Sequence, residues 1–352
     1  MNETPNTPAR AWTSWHLHLA ASDRSLSDRV VTDVVGPAMA ALPPGSWFFM
    51  RYWQGGPHVR LRARDLAAPD AAALGGVLRE TLAAANVLLP GETPVDPARF
   101  AVQSRQLATA GEGGVPVEER ELLAPGVYES PYSPEYGRYG GPALIGVSED
   151  LFGSSSALCL AFLRTRPSDR ARTALALRAT AVAASVLDAG LFAAFGAGSW
   201  SDWALKAGYP QEVLTALEAE CVIAADRLTA DGHDLVARAT SSPGPLASWR
   251  TALSEAVDGP LGAAGAYTAR IVFSHVHMLH NRLGLGTLDE LRSYLLLARQ
   301  AGVAIPAAPR AQATPARATP APAQASPAPA QASPAPAQAS PAPAQATPAR
   351  AT

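Results

Sequence analysis

The sequence predicts an α+β protein. It has an N-terminal ferredoxin-like antiparallel sheet with helices, then a mostly helical half, then a disordered Pro/Ala-rich tail. Three observations predict it. The early part of the chain runs strand, helix, strand, strand, helix, strand, an order in which helices cover one face of a sheet. From residue 143 to 301 apolar residues recur at helical spacing almost throughout. From Ala304 the composition collapses to Ala, Pro, Gln, Ser, Thr and Arg. The expected organisation is a disordered 1–11, one domain over 12–302, and a disordered tail over 303–352.

The elements follow in order. Trp12–Ala21 alternates, with Trp15, Leu17 and Leu19 on one face and His16 and His18 on the other, which is a strand whose histidines face water. Ser25-Leu26-Ser27-Asp28 opens a helix carrying Val30, Val31, Val34, Val35 and Met39, and Pro43-Pro44-Gly45 stops it. Trp47–Trp53 and His58–Arg64 form a strand pair, turned by Gln54-Gly55-Gly56-Pro57. Pro69-Asp70 opens a second helix through Leu82. Phe100–Leu107 is expected to be a further strand, and Ala110–Gly114 a flexible loop. The stretch from Tyr128 to Gly141 combines tyrosines, glutamates, an arginine and glycines in a loop; it fits a site or an ordinary hairpin with aromatic packing.

In the helical half the apolar runs are 157–163, 174–195, 213–225, 247–257, 260–283 and 288–298. The stretch Thr173–Trp200 contains Arg178 and Asp188 and is expected to be a buried helix, not a membrane span. The tail repeats Ser-Pro-Ala-Pro-Ala-Gln-Ala with period seven from Ser326; its prolines forbid helix and favour an extended spacer.

Composition narrows the partners. A hydrophobic content of 48% supports a core, and a net charge of −2 gives no bulk affinity for nucleic acid or an anionic membrane. The only lysine is Lys206, a bias that GC-rich coding also produces. Cys159 and Cys221 are far apart and lack metal spacing, so they read as buried thiols in a reducing cytoplasm. Met1–Arg10 shows no basic region followed by an apolar one, so no secretory signal is expected.

Two stretches carry candidate chemistry. In His58-Val59-Arg60-Leu61-Arg62-Ala63-Arg64 the imidazole and guanidiniums share one strand face. Either that face is a solvated edge, or it binds anionic groups, because guanidinium forks hold carboxylates bidentately. The helix ending at Gly284 holds His275, His277 and His280, with His277 and Asn281 on one face and His275, Met278 and Arg282 on another. The spacing lacks a carboxylate partner motif and HExxH, so no metal is assigned; one histidine acting as acid or base fits better. No cofactor is expected.

Together these pieces resemble the C-terminal domain of lantibiotic dehydratases, which also occurs alone as a thiopeptide-type bacteriocin biosynthesis protein. The matching stretches are 12–19, 28–42, Trp47-Phe48-Phe49-Met50-Arg51-Tyr52 and Gly56-Pro57-His58-Val59-Arg60-Leu61-Arg62. After these come Tyr132-x-x-Glu135-x-x-Arg138-Tyr139-Gly140-Gly141, Ser148-Glu149-Asp150-Leu151-Phe152 and His277-Met278-x-x-Asn281-Arg282-Leu283. The resemblance implies a lyase that eliminates glutamate from glutamylated Ser or Thr of a ribosomal precursor peptide, leaving dehydroalanine or dehydrobutyrine. It implies Arg60, Arg62 and Arg138 as the clamp for carboxylate and enolate, with His277 as general acid/base. His58, Arg51, Glu135, Tyr139, Asn281 and Arg282 would bind or position substrate. A separate tRNA-dependent glutamylating dehydratase would be the partner, since the chain lacks that region. Where the family usually has an acidic residue, this chain has Gly153-Ser154-Ser155-Ser156.

Two other functions remain open. Thiopeptide pyridine synthases resemble the same fold and join two dehydroalanines in a formal [4+2] cycloaddition with leader release. A non-catalytic peptide-binding subunit also fits. The helical half offers apolar surface for a homodimer.

Overall fold

The computed structural model describes residues 11–43, 45–111 and 115–305. The proline-rich tail, the first ten residues and part of the 110–114 loop lie outside the described residues. Four strands, β1 (Trp12–His18), β2 (Trp47–Tyr52), β3 (His58–Arg64) and β4 (Gly126–Glu129), form one sheet in the order β2-β3-β1-β4. Every pairing is antiparallel. This is the ferredoxin-like order, with the first connection running through α1 (Arg24–Arg29), a π-helical turn (Val30–Val35) and α2 (Gly36–Ala38). The second runs through α3 (Ala68–Ala85) and α4 (Pro97–Ala110).

The outer face of the sheet is apolar. Trp15, Leu17, Phe49, Val59 and Leu61 are buried there with Leu26, Val30, Val34, Leu78 and Leu82 from the connecting helices.

Two expectations for this half are corrected. Phe100–Leu107 is not a strand: it lies within α4. Asp96 caps that helix by accepting from the backbone N–H groups of Ala98 and Arg99, and Pro97 occupies the first turn, where a missing N–H costs nothing. The fourth strand is Gly126–Glu129, at the head of the tyrosine-rich stretch. The histidines of β1 do not simply face water either: His18 is buried and His16 half-buried, with Tyr128 and the 118–123 segment at the Gly55–Gly56 turn packed beside them.

That half is helical: α5 (Ile145–Leu163), α6 (Asp169–Ser185), α7 (Ala189–Lys206), α8 (Gln211–Ala230), α9 (Leu235–Ser241), α10 (Ala247–Asp258), α11 (Thr268–Leu283) and α12 (Thr287–Gln300). The apolar stretch 173–200 is two helices, not one. It breaks at 186–188, and Asp188 restarts the chain by accepting from Leu191 N–H. Among the described residues no helix is long and apolar enough to cross a membrane.

The halves are joined along the open edge of β2, where unpaired backbone groups would otherwise be buried at a cost. Side chains take the place of a fifth strand. Ser156 Oγ accepts from Phe49 N–H, and Arg282 Nε donates to Phe49 C=O at 2.7 Å. Asn281 pairs with Arg51 as a strand residue would: its Oδ1 accepts from Arg51 N–H and its Nδ2 donates to Arg51 C=O. Arg51 in turn reaches Asp28 at 2.6 Å, and Asp28 also holds Arg172 of α6 at 2.7 Å. Asp28 thus bridges the sheet and the helical half. Ser156, the last of the Gly153-Ser154-Ser155-Ser156 run, serves this joint. Gly153 lets α5 approach the turn at Gly45, since a Cβ there would meet Gly45 Cα at 2.7 Å.

Candidate functional site

Strand alternation puts His58, Arg60 and Arg62 on the inner face of β3. Antiparallel register sets His18 opposite His58, His16 opposite Arg60 and Ser14 opposite Arg62 on one side. Tyr52, Met50 and Phe48 stand opposite the same three residues on the other side. β3 is an interior strand and not a solvated edge: Arg60 is 6% exposed and Arg62 4%.

Two buried guanidiniums on alternate residues repel each other and have lost water, so their surroundings must compensate. Arg60 lies over the Tyr52 ring, 3.3 Å from its centroid. Arg62 lies 4.6 Å from the Tyr132 ring centre and 5.3 Å from that of Phe48. Burial, and then the charge of Arg60, still pull Arg62 down to about 10. Tyr132 and Glu135 act in the opposite direction.

The 130–144 loop covers this face. Glu135 and Arg138 form a pair at 3.8 Å, and Arg138 Nε donates to Ser274 Oγ of α11 at 3.1 Å. Tyr139 is fully buried, edge-on to Phe152 of α5. Gly140 follows with φ +80°, where a Cβ would meet Leu144 at 2.6 Å. Glu149 of α5 is buried and hydrogen-bonds Tyr132, so it stands near Arg62.

The expected site residues therefore separate into groups. Arg60, Arg62, His58, Glu135, Arg138 and Tyr139 gather on or over the inner face. Arg51, Asn281 and Arg282 stand in the joint at the β2 edge, where their hydrogen bonds serve the fold. Arg282 also turns its remaining guanidinium nitrogens, buried and without hydrogen-bond partners, toward the Phe152 side. Burial lowers it to about 10. His277 occupies another stripe of α11: its Nδ1 lies 3.0 Å from Glu290 Oε2 of α12, and its ring 5.1 Å from that of Trp200. A carboxylate on Nδ1 holds the ring in its orientation.

Local pattern does not place four further groups on this face. His275 packs against Tyr139 and Phe152 and contacts Ser148 Oγ at 3.2 Å. Burial, then Arg282 and Arg138, lower it to about 3. Glu149 was visible in the Ser148-Glu149-Asp150 stretch, but nothing local marks it as buried. His16 and His18 stack beside His58. Burial, followed by the charge of Arg60, lowers His16 to about 2 and His18 to about 4, and holds His58 well below its ordinary value.

A ferredoxin-like sheet whose inner face carries buried arginines under a helical half defines a class, and comparison places the chain within it. Residues 12–301 match the family described as lantibiotic biosynthesis dehydratase, C-terminal, and the chain belongs to that family. No curated protein sequence matches it. Among solved structures it is similar to the pyridine synthase TbtD from thiomuracin biosynthesis, with 19% identity and a TM-score of 0.61, over 83% of this chain and 98% of that one. It is similar to TsrL at 15% identity and a TM-score of 0.56, over 83% and 95%. These two likenesses concern the fold. The tRNA-dependent lantibiotic dehydratase MibB from Microbispora sp. 107891 aligns at 26% identity and a TM-score of 0.42, over 85% of this chain and 28% of that one.

Proposed function

We propose that the chain is an elimination lyase acting on a ribosomal precursor peptide whose Ser or Thr has been glutamylated in a tRNA-dependent step. The observation that carries this reading is the buried pair Arg60 and Arg62, with Glu135 and Arg138 over the same face. Buried cations of this kind are poor for stability and well suited to a substrate that brings carboxylates.

A base takes the Cα proton of the esterified residue. The C–H electron pair moves onto the neighbouring carbonyl as an enolate, which guanidinium donors stabilise. The enolate collapses, Cα=Cβ forms, the Cβ–O bond breaks, and glutamate leaves as its carboxylate. We assign the clamp to Arg60, Arg62 and Arg138, and carry proton transfer over to His277 from the family resemblance alone, since its ring packs against Glu290 and Trp200 on a different stripe of α11 from the arginine face. Tyr139 and Glu135 hold the loop that closes the face.

Pyridine synthesis by formal [4+2] cycloaddition is the second reading. The similarity to TbtD over nearly that protein's whole length favours it. The arginine pair favours elimination, because a cycloaddition of two dehydroalanines has no departing carboxylate to hold. Incubating the protein with a glutamyl-Ser precursor peptide separates them by mass: loss of glutamate supports the lyase. Cyclisation of a dehydroalanine-rich peptide, with the glutamyl ester untouched, overturns it. Binding of both peptides without change would favour a peptide-binding subunit.

A further inference from the structure

We propose that His16, His18 and His58 form a binding site for one divalent transition-metal ion of the zinc class, with an open fourth position toward the arginine face.

The placement follows from strand geometry. A period of two puts His16 and His18 on the same face of β1. The antiparallel register puts His58 of β3 directly opposite His18, with His16 on the diagonal. The His58 ring stacks on His18 at 4.3 Å and on His16 at 5.0 Å. One nitrogen from each of the three lies within 4.8 Å of the others. Zinc–imidazole bonds of about 2.0–2.1 Å in a tetrahedron require nitrogen separations of about 3.4 Å, so the stacked rings must turn their nitrogens inward to close on an ion.

The surroundings are those of a ligand set. His18 and His58 are each 2% exposed, and His16 is half-buried at the rim. His58 Nδ1 donates to the Gly56 carbonyl at 2.9 Å. This fixes the proton on Nδ1 and offers Nε2, as a backbone carbonyl commonly does for a metal-bound histidine. Arg60 Nε now lies 3.3 Å from that Nε2 and would give way to the ion. The displaced guanidinium would then face the fourth ligand and favour an anion there, hydroxide or a carboxylate.

Charge selects the kind of metal. The three ligands are neutral, no carboxylate belongs to the set, and Arg60 and Arg62 stand beside it. A hard cation such as Ca²⁺ or Mg²⁺, which needs oxygen ligands, is excluded. An ion that bonds strongly to imidazole is accepted. The His-x-His spacing with a distant third histidine becomes a site only when β1 and β3 pair. The proposal is independent of the elimination reading, since it concerns binding and not turnover.

The test uses the full chain without a polyhistidine tag, stripped of metal. Zn²⁺ is titrated by calorimetry and Co²⁺ by visible absorption. The expected result is one Zn²⁺ per chain, the intense d–d absorption of four-coordinate Co²⁺, and at least tenfold weaker Zn²⁺ binding in His16→Ala and His58→Gln. His233→Ala, distant from the sheet, should bind as the wild type does. If His58→Gln fails to fold by circular dichroism, His16→Ala at the rim and the wild-type Co²⁺ spectrum decide. Absence of saturable Zn²⁺ binding up to about 0.1 mM overturns the proposal. So does unchanged affinity in His16→Ala.

Discussion

Arg62 is pulled down to about 10 by burial and by Arg60, yet it stays charged at neutral pH. Its charge is held in a place that costs stability, and the proposed function uses it there. Arg62→Ala should therefore lower glutamate release by about 10²–10³, the loss typical of one transition-state donor, while the far-ultraviolet dichroism stays that of the wild type. Rates near wild type would remove Arg62 from the clamp. His277→Ala should cost about 10²–10⁴, and Glu290→Gln about 10–100, because the carboxylate acts only by orienting the ring. His275 is the control on the same helix: if His275→Ala abolishes turnover and His277→Ala does not, the base is reassigned. The arginines were legible in β3 because alternation needs only one strand. His16 and His18 were expected to face water, since nothing within β1 reveals what packs over it.

At the scale of elements, the β2 edge shows how the sheet is tied to the helical half. Asn281 supplies one donor and one acceptor to Arg51 in place of a neighbouring strand. Asn281→Ala should destabilise the protein by about 1–3 kcal/mol in denaturant unfolding, the cost of leaving those backbone groups unpaired. A loss of substrate affinity with stability unchanged would instead return Asn281 to the binding site. The error at Phe100–Leu107 has a physical cause. An apolar, β-branched and aromatic stretch suggested a strand, but Asp96-Pro97 is a helix start and Phe100, Ser104, Leu107 and Ala108 recur at helical spacing. The element order survived because Gly126–Glu129 supplies the missing strand. A four-residue strand beside a tyrosine-rich loop carries too little pattern to be found on its own.

Over the whole molecule, the 118–144 segment, with the helical half behind it, turns an ordinary two-layer α+β sheet into one buried on both faces. That burial is what makes the inner histidines basic sites held without protons. Its consequence for stability has a definite sign. His16, His18, His58, His275 and His280 all have folded-state values below the unfolded 6.5. The unfolded chain thus binds more protons below pH 6.5, and stability rises with pH there. Unfolding free energy should be flat between about pH 7 and 8 and fall as pH drops from 6.5 toward 4, by up to about 1.4 kcal/mol per pH unit for each such histidine. His18→Gln should reduce that slope by about one proton's worth; an unchanged slope would mean His18 is solvated. This long-range covering could not be read from local pattern, because the 118–144 segment lies far along the chain from β1. The ordered set of short stretches from Trp12 to Leu283 did reveal the family, since their identity does not depend on knowing how they pack.

Arginines that receive glutamate as it leaves a peptide tie each glutamate released to one double bond formed. The most direct measurement is free glutamate released from a glutamyl-Ser precursor peptide, counted against new dehydroalanine. One glutamate per dehydroalanine is expected, with both lost in Arg62→Ala. A wild-type protein that leaves the ester intact, yet joins two dehydroalanines into a ring, would contradict it.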